Sequence, residues 1–133
     1  MSNMKKPSKK WREFCQIINI VDIRIGKIQR ALKKLYAEKA ELEKTIESIW
    51  ELIRQEQVAL KTLFPEIQNN TLEFFFRRRE NLRDVIENFL LDATIASKQL
   101  DNVKHEIRNC EQQKLVLEKR KDLLTELLNN LTG

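Results

Sequence analysis

The chain has 133 residues, with only two Gly and two Pro where average usage would give about sixteen in total. Tight turns and β-hairpins consume those residues, so all-β and loop-rich folds are excluded, and 34% charged with 7% aromatic residues is a composition of long helices. The net charge is +5, yet residues 1–34 hold ten basic and two acidic side chains while the rest is close to balance. A basic arm of this kind suits an acidic protein surface, nucleic acid or anionic lipid, and charge alone does not choose among them.

In chain order, residues 1–10 read as a flexible basic tail. The opening MSNMKKPSKKWREF has charges but no apolar stretch followed by a small-residue cleavage site, which predicts a cytoplasmic protein. No apolar run approaches the eighteen or so residues of a membrane span, so membrane insertion is not expected. Residues 11–63 then carry a seven-residue apolar repeat. Its a positions are Trp11, Ile18, Ile25, Leu32, Lys39, Ile46, Ile53 and Leu60, and its d positions Phe14, Val21, Ile28, Leu35, Leu42, Ile49, Glu56 and Leu63. Three or four such heptads already define a coiled coil, and here there are eight.

The stretch Phe64-Pro65-Glu66-Ile67-Gln68-Asn69-Asn70-Thr71 breaks the repeat. Pro65 disfavours helical geometry at Phe64 and lacks an amide proton, and Asn70 or Thr71 is suited to cap a new helix. A second seam runs over residues 72–131, out of phase with the first. Its a positions start at Leu72, Arg79, Ile86 and Ala93, and its d positions at Phe75, Leu82, Phe89 and Ala96, continuing to Leu131. The expected fold is therefore all-α: one domain, an elongated antiparallel two-helix coiled-coil hairpin with its turn near residues 64–71. If the turn centres on Ile67, facing residue numbers total about 135. That rule pairs Glu56 with Arg79 as a buried register pair and lays Lys39 over Ala93 and Ala96.

Catalytic chemistry has little to work with. The single histidine, His105, falls at an outward f position, the two glycines cannot make a phosphate loop, and the carboxylates alternate with Lys and Arg on outer faces. No enzyme activity, cofactor or metal site is expected. Cys15 and Cys110 lie too far apart in the hairpin for a disulfide.

Two places are more apolar than a coiled coil needs. In the first, Ile17, Ile20 and Ile23 occupy g, c and f, so hydrophobes surround the helix, with Leu115, Val116, Leu123 and Leu127 adding apolar outer positions on the second arm. This end fits self-association, or insertion into an enclosing partner whose acidic walls meet Lys9, Lys10, Arg12, Arg24, Lys27 and Arg30. In the second, Phe74-Phe75-Phe76-Arg77-Arg78-Arg79 follows the turn. It is either an aromatic cap over Phe64 and Ile67 or a binding tip.

The length, the basic start, the Pro65 turn and a charged second arm such as residues 108–120 together resemble the central-stalk proteins of type III secretion systems, the YscO/InvI/FliJ-like group. The resemblance implies a non-enzymatic cytoplasmic stalk at the bacterial cytosolic face of a secretion system, a monomeric hairpin whose end carrying both termini enters a hexameric export ATPase. It further implies an export-gate protein, and in some members secretion chaperones, as partners of the remainder. By that analogy the ring contact comprises Lys9, Lys10, Arg12, Ile17, Ile20, Ile23, Arg24, Lys27 and Arg30. The gate or chaperone contact comprises Phe64, Phe74, Phe76, Arg77 and Arg78. Two readings from other classes stand beside it: a basic coiled coil binding nucleic acid through residues 5–34, and a homo-oligomeric coiled-coil scaffold.

Overall fold

The structure, a computed structural model, describes residues 8–63 and 71–132. It contains two helices, α1 (Lys9–Lys61) and α2 (Thr71–Thr132), packed against each other as an all-α hairpin. The turn residues Phe64 and Pro65 to Asn70 lie outside the described residues. Helix α1 starts at Ser8, whose Oγ accepts the Trp11 amide at 3.1 Å, satisfying one of the N–H groups that a helix start leaves without a partner. At its other end the Thr62 hydroxyl donates to the Val58 carbonyl at 2.9 Å. The α2 start carries Glu73, a carboxylate where the helix dipole favours one.

Burial follows the heptads. Among the described residues the buried hydrophobic ones are Val21, Ile25, Leu32, Ile53, Leu82, Ala93, Ala96, Val103 and Ile107, and every one is an a or d position. The remaining seam residues are half-buried, except that Leu72 and Leu131 at the two ends of α2 are exposed. Among the described residues no side-chain polar atom is buried without a partner. The described residues divide into two compact units, one made of residues up to Tyr36 together with those from His105 onward, and the other of those between Ala37 and Lys104.

Within each unit the register differs from the rule set by Ile67. In the first unit Asp22 faces Lys121, at 2.6 Å, where the rule placed residue 113. In the second, Leu42 shares a groove with Gln99 and Val103, where the rule placed residue 93. Both shifts amount to about one heptad. By that spacing Glu56 comes level with Ile86 and Arg79 with Leu63, and among the described residues no ion pair joins Glu56 to Arg79. Lys39 comes level with Val103 instead of the two alanines, and its ammonium lies 3.9 Å from Glu43. The physical reason is that a slip of seven residues puts a against d as before, so the apolar pattern cannot distinguish the two registers.

Candidate protein-docking surface

The first unit has two unlike flanks, set by where the heptad sends each side chain. Along the e side of α1 lie Asp22 and Tyr36. Asp22 pairs with Lys121, and the Tyr36 hydroxyl donates to the Glu111 carboxylate. Both contacts favour the protonated partner, so hydrogen bonding to Asp22 raises the Lys121 pKa and hydrogen bonding to Glu111 raises that of Tyr36. Lys114, another seam lysine, turns to Glu118 at 3.6 Å. In the second unit Lys39 turns to Glu43. The three carboxylates reached by seam lysines, Asp22, Glu43 and Glu118, are all e positions, so within the first unit Lys114 and Lys121 lean to the same side.

The opposite, g and c side of the first unit is different. Its α1 residues include Ile17, Ile20, Arg24 and Lys27, and its α2 residues Val116, Arg120, Leu123 and Leu127. All are exposed, with Ile20 at 51%, Val116 at 60% and Leu123 at 58%. An open groove runs between the helices here, lined by Arg24, Lys27 and Ile28 on α1 and by Gln113, Val116 and Leu117 on α2. Over residues 14–34 and 109–131 no g or c position of either helix is a carboxylate.

The residues expected at a ring contact are all at the surface. Ile17 and Ile20 border the groove side, Ile23 and Arg30 point outward at f, and Arg24 and Lys27 line the groove itself. Lys9, Lys10 and Arg12 are exposed at the start of α1, where the first turn has no acidic residue. Cations there oppose the helix dipole.

No protein-family model, curated protein or solved structure matches this chain. The functional reading therefore stands on the residues and their placement.

At the start of α2, within the second unit, Phe74 and Phe76 are exposed at 69% and 55%. Phe76 makes an edge-to-face contact with Phe75, with ring centroids 5.4 Å apart. Arg77 is tied to Glu73 at 3.1 Å, while Arg78 is exposed and is in no ion pair among the described residues. Phe64, expected in this cluster, lies outside the described residues. Among those described there is no group of His, Cys, Asp and Glu that could hold a metal, and no helix long and apolar enough to cross a membrane. Cys15 and Cys110 are free thiols.

Sequence reasoning overlooked Arg120 and Tyr36. Arg120 sits at g, the signal that could have placed it beside Arg24. Tyr36 needed the register, because its partner is 75 positions away.

Proposed function

We propose that this protein is a non-enzymatic stalk of a type III secretion export apparatus, working in the bacterial cytoplasm. Its first unit enters a hexameric ATPase ring, and the α2 start, through Phe74, Phe76, Arg77 and Arg78, meets the export gate or a secretion chaperone. The observation that carries the reading is the coincidence, on α1, of exposed Ile17, Ile20 and Ile23 with Arg24, Lys27 and Arg30, cations that pair with no carboxylate among the described residues. Exposed hydrophobes rimmed by one sign of charge mark a protein contact with an acidic partner. The cations in the first turn of α1, where helix stability would prefer acids, support the same reading.

The mechanism is mechanical. A hairpin inside a six-fold ring touches the subunits unequally and favours different nucleotide states in each; only such differential contact can alter turnover. The stalk itself hydrolyses nothing.

A tagged pull-down from the native cell, nuclease-treated and read by mass spectrometry, tests this. Recovery of a secretion ATPase or an export-gate protein is the expected result. Binding that vanishes with nuclease, and weakens steeply with salt as phosphate contacts do, would transfer the function to nucleic acid. Reversing the charges of Arg24, Lys27 and Arg30 together should lower ATPase stimulation, and unchanged stimulation overturns the ring contact.

A further inference from the structure

We infer that the g and c flank of the first unit is a lengthwise docking site for one acidic amphipathic helix of a partner, which converts the helix pair locally into three. The inference rests on the reading of this unit as a partner-docking end and specifies what docks there. The e side is internally matched: Asp22 holds Lys121, Glu118 holds Lys114 and Glu111 accepts from Tyr36. The flank across the seam has no such closure.

With the register fixed by Asp22 and Lys121, residues of the two helices come level in rows. Ile17 is level with Leu127 and Ile20 with Leu123, giving two apolar rows at the outer end. The next row sets Arg24 level with Arg120. Two cations share this row, no carboxylate stands at any neighbouring g or c position, and neither forms an ion pair among the described residues. Lys27 and Val116 follow, lining the open groove.

This sequence of rows names its occupant. An incoming helix needs apolar side chains over the Ile17–Leu127 and Ile20–Leu123 rows and a Glu or Asp level with Arg24 and Arg120, where opposite charge is attracted to either cation. A helix laid in a groove by its apolar face, with i, i+3, i+7 anchors, is a known recognition mode. A second copy of the same flank is a poor occupant, because it would add two more arginines. The e side of a second copy is poor as well, since its carboxylates Asp22, Glu111 and Glu118 are already engaged.

The probe is a fluorescein-labelled synthetic peptide of about three heptads, with Leu at a and d and Glu at e and g; like charges at its own flanks disfavour pairing with itself. A twin carries Lys in place of Glu. Fluorescence anisotropy with the full-length chain should show saturable binding of the Glu peptide and none of the Lys twin. In the double variant R24E/R120E the Glu peptide should bind at least about tenfold more weakly, the scale of reversing two exposed charge contacts, and the Lys twin should now bind. Leu115→Asp, at a b position on the other flank, should change neither. Helicity measured by circular dichroism shows that each variant is folded.

Equal binding of both peptides, or a loss in Leu115→Asp as large as in R24E/R120E, overturns the inference. So does self-association of the chain that disappears in R24E/R120E, because the occupant is then a second copy. The stalk reading fails separately. If the Glu peptide binds as described but no secretion ATPase is recovered from the cell, the docking flank stands without the ring. If the ATPase is recovered and the peptide never binds, the reverse holds.

Discussion

Lys121 occupies the centre of a hydrophobic repeat, yet its ammonium lies 2.6 Å from Asp22 on the other helix. A seam lysine that leaves the seam to find a carboxylate at the flank does two things. It keeps its charge hydrated, and it ties one heptad of α2 to one heptad of α1. The apolar residues cannot perform the second task, because they look alike after every slip of seven.

The register itself is open to test. In a chain with Cys15 and Cys110 replaced by Ser and Ala, the pair Asp22→Cys and Lys121→Cys should form a disulfide under mild oxidation. Asp22→Cys with Gln113→Cys should not, since eight residues of helix displace a side chain by about 12 Å and a disulfide needs Cα atoms within about 7 Å. Efficient closure of the second pair would restore the register centred on Ile67.

Alkaline pH should loosen the first unit. Lys121 and Tyr36 both have raised pKa values, so each contributes stability below its ordinary value of about 10.4 or 10. That contribution is lost as pH rises through the folded value, when the ammonium or the phenol gives up its proton. Tyr36 is the only tyrosine, so tyrosinate absorbance reports it alone. Its midpoint should lie above 10, and Glu111→Gln should bring it back towards 10. A midpoint unmoved by that substitution would mean that the hydrogen bond does not form in solution.

Gly26 lies inside α1 at a b position, and an added Cβ would meet only the Arg30 guanidinium, at 3.6 Å. That is ordinary van der Waals contact. Gly26→Ala should therefore stabilise the chain by about 1 kcal/mol, the propensity difference between the two residues, and raise the thermal midpoint accordingly. A lower midpoint would show that this position needs the freedom of glycine.

Ile53 and Ile23 are the same residue type in opposite surroundings, 1% and 51% exposed. Ile53→Ala should cost about 2–5 kcal/mol in denaturant unfolding. Ile23→Ala should stay within about 0.5 kcal/mol, because nothing packs on it in the isolated chain. A large loss at Ile23 would mean that it is buried in a homo-oligomer, which is the scaffold reading.

Most of the fold could be read before any coordinates. Trp11 to Leu63 and Phe75 to Leu128 turn the same faces inward that the heptads assigned, because a 3.5-residue period leaves only one way to hide so many aliphatic side chains. Glu56 and Arg79 were misjudged for a related reason: opposite charges near a seam suggest a pair, but a repeat that is degenerate every seven residues allows that pair or its neighbour equally. Ile17, Ile20 and Ile23 were legible as surplus hydrophobes. What the sequence did not disclose is that Lys114 and Lys121 lean the same way, since the direction depends on which carboxylate lies within reach across or along the helices. Arg24 and Arg120 acquire their relation only after that.

The leaning lysines have a geometric consequence. Two similar helices side by side would present nearly the same surface after half a turn about their common axis. By placing the paired Asp22, Glu111 and Glu118 on one flank and Arg24, Lys27 and Arg120 on the other, the first unit loses that equivalence and acquires a front and a back, like a cam. Any partner that encircles it meets a different surface at each angle, and a rotation of the unit becomes something the partner can sense.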